Sequence, residues 1–202
     1  MHCTGLFHFA PLGQSSYLQT ISTKRKTILL GNVKAAFHTA LQGAHALLVS
    51  MRPHQWTKNL FALAPLLFGQ KLGDVSAVGS ALLAFAVFCL IASALYIVND
   101  IADAEADRAH PEKRFRPIAS GELAVSVAIL ASVVLLGMSF AIAVIISWQF
   151  LALAIGYGML TFGYSLAVKH VVILDCMTIA TGFVLRVVGG AAAVKVTPTH
   201  WL

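Results

Sequence analysis

The residues best suited to chemistry lie in one short stretch, Asn99 to Pro117, which reads NDIADAEADRAHPEKRFRP. This stretch holds five of the eight acidic residues of the chain, and it follows directly on a long uncharged segment. If its first part is helical, Asp100, Asp103 and Asp107 share one helix face at i, i+3 and i+7 spacing. Three carboxylates held together repel one another, and a bound divalent cation removes that repulsion. We therefore expect these three aspartates to bind a metal ion.

Basic side chains follow the aspartates in the same stretch, at Lys113, Arg114 and Arg116. Carboxylate oxygens suit Mg²⁺, which keeps some of its waters and takes other ligands from substrate phosphates. The arginines can hold phosphate oxygens through the planar fork of the guanidinium group. The alternative is a solvated loop whose acidic and basic residues neutralise each other. We favour a diphosphate site with bound Mg²⁺, because the acids begin at the end of an apolar segment, where charge is costly.

The composition of the chain is that of a membrane protein. Of its 202 residues, 58% are hydrophobic and 11% are charged, and the mean hydropathy is +0.82, whereas about a quarter of a typical soluble domain is charged. The net charge of +6 would also suit nucleic-acid binding. In membrane proteins, however, basic residues usually flank the spans on the cytoplasmic side. We therefore expect the lipid bilayer as a partner and no nucleic acid.

The apolar segments predict an all-α, polytopic bundle of about five transmembrane helices, since one span needs about 20 apolar residues. The uncharged run from 123 to 168 is too long for one crossing, so we divide it near Trp148. The first span is short and needs the region around Trp56 to reach across the bilayer. The five predicted spans cover residues 60–70, 75–98, 123–146, 149–167 and 171–194.

The first 50 residues are expected to form a region of their own, with the transmembrane domain at 51–202. Residues 1–23 lack the features of a cleavable signal peptide and are expected to be a loosely ordered tail. Residues 35–51 carry apolar side chains at steps of three and four. This spacing predicts an amphipathic helix on the membrane surface, with a weak sixth span as the alternative.

The distribution of basic residues predicts the orientation of the spans. If the N-terminal segment, the loop at 99–121 and residues 169–170 lie on one side, 11 of the 14 basic residues lie there. Only Lys71 and Lys195 fall on the opposite side, and Arg186 lies within a span. The positive-inside rule therefore predicts that the aspartate-rich loop is cytoplasmic.

A second polar group accompanies the last two predicted spans and consists of Tyr164, Lys169, Asp175 and Arg186. Asp175 and Arg186 are eleven residues apart, about three helical turns, so they lie on the same side of one helix. Ionisable residues in membrane helices normally face the bundle interior. We therefore expect this side to line a cavity; the alternative is a helix-packing seam of small residues.

Polar residues also stand at the mouth of the first predicted span, at Arg52, Lys58 and Asn59. Their side chains could reach a phosphate group from the same side as the aspartates. The alternative is that the cations only anchor the span at the cytoplasmic surface, with Trp56 in the interfacial aromatic belt.

Several motifs resemble those of the UbiA superfamily of membrane prenyltransferases. The pattern N-D-x-x-D-x-x-x-D at 99–107, followed by a basic run and R-P, resembles the magnesium and diphosphate motif of that family. Further segments resemble its decaprenyl-phosphate phosphoribosyltransferase branch: MRPHQWTKN at 51–59, ADRAHPEKRFRPIASG at 106–121, YSLAVKH at 164–170 and ILD at 173–175. The resemblance covers about residues 50–202.

The resemblance implies roles for particular residues. Asp100, Asp103 and Asp107 would be catalytic ligands of Mg²⁺, with Asn99 as a helper. The other substrate contacts that it implies are Lys58, Lys113, Arg114, Arg116, Tyr164 and Lys169. Asp175 and Arg186 join these as candidate substrate-binding residues from the cavity argument above.

The resemblance also implies an activity, a magnesium-dependent transfer of 5-phosphoribose from phosphoribosyl diphosphate to a polyprenyl phosphate, in a bacterial inner membrane. Transfer of a polyprenyl group to an aromatic acceptor is one alternative, and a non-catalytic fragment is another. Family members have about nine spans and a second acidic motif after the sixth helix, whereas this sequence ends at Leu202, where a sixth helix should begin. We therefore expect a partial UbiA-like bundle, and a homo-oligomer is one arrangement that the sequence leaves open.

Overall fold

The computed structural model describes the backbone of residues 12–165 and 172–197, and the side chains of residues 30, 31, 33–165 and 176–197. All regular elements in these ranges are helices, which confirms the predicted all-α class. The chain divides into two compact units, Met1–Ala44 and His45–Leu202.

The first unit is helical wherever it is described. Helix α1, Leu12–Met51, begins in this unit, and its residues from His45 onward belong to the second unit. The expectation of a loose tail over residues 1–23 is therefore wrong from Leu12 onward, and residues 1–11 lie outside the described part. No proline occurs between Pro11 and Pro53. A proline-free segment can keep every internal backbone hydrogen bond of a helix.

After the last residues of α1, the second unit continues with an unusual helical segment. The backbone turns at Arg52, whose φ of 52° is left-handed, and then runs as a 3-10 helix over Pro53–Leu63 and as α2 over Ala64–Phe68. With rises of about 2.0 Å and 1.5 Å per residue, the two helices together extend about 30 Å, close to the hydrocarbon thickness of a bilayer. The helical segment at the predicted first span, 60–70, thus runs from Pro53 to Phe68 and includes the Trp56 region.

Longer helices form the rest of the unit: α3 over Val75–Ala102, α6 over Val125–Ile146, α7 over Trp148–Gly163 and α8 over Val172–Val194. Short elements join α3 to α6, namely α4 over Ala104–Ala109, a 3-10 turn over Lys113–Phe115 and α5 over Pro117–Ser120. Among the described residues, α3, α6 and the Cys176–Val194 part of α8 are long and apolar enough to cross a membrane, and α7 is apolar but shorter.

The predicted spans agree with these four long helices to within about four residues. The predicted end of the fourth span, at 167, lies outside the described residues, and the second predicted span is shorter than α3. The sequence analysis ended that span at Val98, before the first charged residue, but the helix continues to Ala102. It ends where the backbone N–H of Asp103 donates to Asn99 O. Asn99 and Asp100 therefore lie on the helix itself, which fixes the direction of both side chains relative to the bundle.

Three buried clusters mark the middle and the two ends of the helix bundle in the second unit. Successive long helices run between these ends in opposite directions. The middle cluster is built on the Phe88 ring, which meets the rings of Phe150 and Tyr157 edge to face. A second cluster joins Ile97, Ile118 and their neighbours at the end that carries the aspartate-rich loop, which we call the motif end. A third cluster at the opposite end joins Leu66, Ala77, Ala81 and Val194.

Candidate active site

A cavity of about 420 Å³ lies among the 3-10 segment, α3, α7 and α8. Its volume is in the range of small-molecule binding sites. Apolar and aromatic side chains form much of its wall: Leu95, Tyr96, Val98, Tyr157, Leu160, Phe162, Ile179 and Phe183. Six of the residues that the sequence singled out also line it: Arg52, Lys58, Asn99, Asp103, Tyr164 and Arg186.

Asp103 reaches the cavity wall with the help of Asn99. The Asn99 side chain donates from Nδ2 to Asp103 Oδ2 at 3.2 Å, and its own Oδ1 accepts from the Ser165 hydroxyl. Ser165 lies two residues after the end of α7, so this chain of hydrogen bonds ties the end of α7 to the end of α3. The amide of Asn99 thereby orients the one carboxylate of the three aspartates that faces the cavity.

Asp100 and Asp107 are placed differently. Both are buried, with 3% of each residue exposed. Asp100 accepts from Arg52 Nη2 at 2.7 Å and from Arg116 Nη1 at 3.2 Å, and Asp107 accepts from the same Arg116 Nη1 at 2.7 Å. One guanidinium group therefore bridges two carboxylates, Asp100 on α3 and Asp107 on α4. The predicted single helix face of three aspartates is thus divided between two helices, because α3 ends at Ala102. The cation that lies between these two carboxylates is the guanidinium group of Arg116.

The donor set at the cavity fits one magnesium ion that takes further ligands from its substrate. Among the described residues, no group of three His, Cys, Asp or Glu side chains could hold a metal by itself. Mg²⁺ typically uses one or two carboxylates together with waters and substrate phosphates. Asp103 can supply such a hard-ligand position, and Asn99, which faces it with the Nδ2 donor, orients its carboxylate. Asp100 and Asp107 would join only if Arg116 moved away from them.

The basic run does not reach the cavity as a unit. Lys113 and Arg114 are exposed in the 3-10 turn, and the Arg114 guanidinium stacks on the Phe115 ring at 4.8 Å from its centroid. His110 Nδ1 accepts from the backbone N–H of Lys113, which holds this turn. Only Arg116 of the run points into the bundle, toward the two aspartates. Phosphate contacts by Lys113 and Arg114 therefore stay a prediction.

Arg186 lies deeper in the bundle than the aspartates. Its Nε donates to Asn59 Oδ1 at 2.7 Å and its Nη2 to Tyr157 OH at 2.8 Å. Its guanidinium also stacks on the rings of Tyr157 and Phe183. Asn59 in turn donates to Cys89 Sγ at 3.2 Å. A cation thus stands at the inner end of the cavity, held by groups from the 3-10 segment and α7.

Two other predicted site residues cannot be placed. Lys169 lies outside the described residues. Asp175 lies on the backbone of α8, but its side chain is outside the described part.

The structure adds site residues that the sequence analysis did not single out, namely Tyr96, Tyr157 and Ser165. Tyr96 stacks under the Arg52 guanidinium at 5.0 Å. A tyrosine or serine within an apolar run has no pattern that separates a cavity wall from ordinary packing. The left-handed φ of Arg52, the residue before Pro53, is a backbone strain that places its side chain on Asp100.

Comparison with known proteins agrees with this fold. The sequence profile of the UbiA prenyltransferase family matches residues 59–202. The chain is 41% identical over 155 residues to an uncharacterised protein, y4nM, of Sinorhizobium fredii, and the match covers 77% of this chain and 30% of that protein. It is 39% identical over 162 residues to the decaprenyl-phosphate phosphoribosyltransferase of Corynebacterium glutamicum, covering 78% of this chain and 49% of that enzyme.

A solved structure shares the architecture. It is a UbiA homologue from Archaeoglobus fulgidus bound to DMAPP and Mg²⁺, with a TM-score of 0.66 at 23% identity, covering 76% of this chain and 56% of that one. At this identity the likeness shows the fold alone. The chain spans half or less of the length of the two relatives above. Because the family profile covers most of the chain and the bundle matches, the chain belongs to the UbiA prenyltransferase family.

Proposed function

We propose that this chain forms the donor-binding part of a magnesium-dependent membrane transferase that moves 5-phosphoribose from phosphoribosyl diphosphate to a polyprenyl phosphate. The observation that carries the proposal is the cavity, in which Asn99 and Asp103 stand at the motif end and the cations Lys58 and Arg186 also line the wall. A relative named for this reaction is 39% identical, which supports the choice of donor.

In the proposed reaction, a phosphate oxygen of the lipid forms a bond to C1 of the ribose while the bond from C1 to the diphosphate oxygen breaks. The diphosphate leaves with the electron pair, so no covalent intermediate with the protein is needed. A bound Mg²⁺ would neutralise negative charge on this leaving group. Asp103 would hold that ion, Asn99 would orient the Asp103 carboxylate, and the Lys58 ammonium would attract phosphate oxygens.

The apolar wall would exclude water from the reacting carbon. Leu95, Val98 and Phe162 line the cavity together with the polar groups. A site that water can enter would hydrolyse an activated sugar diphosphate. The same wall can accept part of a lipid chain, which brings the acceptor phosphate to the donor.

Asp103→Asn tests the site with a change of one charge. We expect magnesium-dependent binding of phosphoribosyl diphosphate to purified protein to fall about 100-fold, since charge-assisted contacts contribute about 1.5–3 kcal/mol each. Label transfer from the donor to polyprenyl phosphate in membranes should fall with it. Isothermal titration and a radiolabel assay measure the two effects.

Glu105→Gln is the matched control, because Glu105 lies two residues away in the same loop and is exposed. It removes the same charge and should leave binding and transfer unchanged. If Asp103→Asn binds phosphoribosyl diphosphate as tightly as wild type, Asp103 is not part of the site. The same conclusion follows if Glu105→Gln loses as much affinity as Asp103→Asn.

Prenyl transfer to an aromatic acceptor is a second candidate, because the apolar wall of the cavity also suits a prenyl donor. Membranes supplied in turn with labelled phosphoribosyl diphosphate and labelled prenyl diphosphate separate the two reactions. Labelled polyprenyl phosphate is expected only with the first donor. Donor binding without transfer of either label would instead indicate a part that binds the diphosphate but lacks catalysis by itself.

A further inference from the structure

The Arg186 side chain carries a positive charge without a carboxylate partner among the described residues. The ion pairs found there join Arg52 and Arg116 to Asp100 and Asp107. The two acceptors of Arg186, Asn59 Oδ1 and Tyr157 OH, are neutral. An uncompensated charge inside a membrane bundle is costly and usually marks a functional position. An anion in the cavity would neutralise it.

The backbone of Asp175 lies eleven residues before Arg186 on α8, about 16 Å along the helix axis at 1.5 Å per residue. The guanidinium group has five N–H donors, and the two hydrogen bonds above use two of them.

Gly182 keeps open the space into which the guanidinium extends. A Cβ added there would lie 3.3 Å from Arg186 Nη1. Gly182 is one turn before Arg186 and also lines the cavity. Helical side chains tilt toward the N-terminus of their helix, so the guanidinium is directed along α8 toward the motif end.

Arg186 and the pair Asn99 and Asp103 are anchored at different depths of the bundle. Its partner Asn59 bonds to Cys89, ten residues before Asn99 on α3. Its partner Tyr157 lies eight residues before Ser165, which bonds to Asn99. The backbone positions that anchor these two groups are therefore about 12–15 Å apart along the helix axes. The two phosphorus atoms of a diphosphate share one oxygen, whereas a ligand with a second, separate phosphate can reach both groups.

We propose that Arg186 forms a second anion subsite, which takes a phosphate monoester while the diphosphate binds at Asn99 and Asp103. This inference rests on the proposed function and deepens it. Phosphoribosyl diphosphate carries a 5-phosphate separated from its diphosphate by the sugar, and a polyprenyl phosphate also ends in a monoester. A prenyl diphosphate has no phosphate group apart from its diphosphate. Arg186 therefore selects for phosphoribosyl transfer over prenyl transfer.

The test compares the affinities of Arg186→Met and Arg186→Lys with wild type for four ligands in the presence of Mg²⁺: phosphoribosyl diphosphate, inorganic diphosphate, ribose 5-phosphate and farnesyl phosphate. We expect Arg186→Met to bind inorganic diphosphate like wild type and to bind its monoester ligand about 10- to 100-fold more weakly. Lys71→Met, at the opposite end of the bundle, removes one positive charge and should change none of the four affinities.

The pattern of losses identifies the source of the monoester. Weaker binding of phosphoribosyl diphosphate and ribose 5-phosphate assigns the subsite to the donor, and weaker binding of farnesyl phosphate alone assigns it to the acceptor. Either result supports the subsite. If no phosphoribosyl transfer is found as well, the proposed reaction fails but the subsite stands. An equal loss for inorganic diphosphate, or no loss for any monoester, overturns it.

Arg186→Lys decides the matter if Arg186→Met does not fold. It keeps the charge but loses the planar fork. Wild-type affinity for inorganic diphosphate with weakened binding of a monoester supports the subsite. Equal changes for both ligand classes overturn it.

Discussion

Arg116 has two roles. It holds the aspartate-rich loop, and its guanidinium group occupies the position predicted for a metal ion between Asp100 and Asp107. Its Nη1 bridges Asp100 and Asp107, whose carboxylates are both buried. Asp100 has Arg52 as a second partner, whereas Arg116 makes the one ion pair found for Asp107 among the described residues. In this arrangement Arg116 serves as the counter-ion of both aspartates.

Arg116→Gln should therefore destabilise the bundle by about 3 kcal/mol, because it leaves a buried carboxylate without its counter-ion. Thermal unfolding in detergent measures the effect. Adding Asp107→Asn to Arg116→Gln should restore part of the loss, since the orphaned charge is then removed.

Arg114→Gln is the control for that change, as Arg114 is an exposed arginine in the same basic run. Its effect should stay within about 0.5 kcal/mol. Equal effects of Arg114→Gln and Arg116→Gln would mean that the bridge to Asp100 and Asp107 contributes no stability.

At the scale of elements, the 3-10 segment depends on close contact with α8. A Cβ added at Gly190 would lie 1.9 Å from the carbonyl oxygen of Ala62 and 2.8 Å from its carbonyl carbon. The obstacle is backbone, so a larger residue cannot be accommodated by a change of rotamer. Small residues allow membrane helices to approach in this way. The contact positions Asn59, three residues before Ala62, against Arg186.

Gly190→Ala should force the two backbones apart and cost about 1–3 kcal/mol or more, as overpacking does. We also expect weaker ligand binding, because the shift separates Asn59 from Arg186. Thermal unfolding and ligand titration on the same purified variant measure both effects.

Gly79→Ala is the control in α3, where an added Cβ meets nothing within 4 Å. It should be neutral or stabilise the helix by up to about 1 kcal/mol, because alanine is the better helix former. A Gly190→Ala variant as stable as this control would show that the contact with Ala62 relaxes without cost.

At the scale of the whole transmembrane unit, charge separates the two ends of the bundle. The motif end carries the loop with Arg108, Lys113, Arg114 and Arg116, and Lys71 lies next to the cluster at the opposite end. The positive-inside rule then predicts that the motif end faces the cytoplasm. The proposed donor is a charged, water-soluble molecule, so it would enter the cavity from that side.

Cysteine labelling tests this orientation. In a background with Cys3, Cys89 and Cys176 replaced by alanine, Lys71→Cys should react with a membrane-impermeant maleimide in intact cells. Glu112→Cys should react only in inside-out vesicles, because it lies in the loop at the motif end. The reverse pattern would invert the assigned topology, and labelling of both positions from one side would contradict the alternating directions of the helices.

The sequence by itself determined the fold class, the approximate extent of the long helices and the stretch in which the candidate site residues lie. These features are local, since a run of apolar residues sets the length of a span and a cluster of acids stands out in a chain so poor in charge. Only the tertiary structure decided which of those acids faces the cavity. Asp103 lines it, while Asp100 and Asp107 bind Arg116. The partners of Arg186 also come from segments far apart in the chain, and only packing of the helices brings them together.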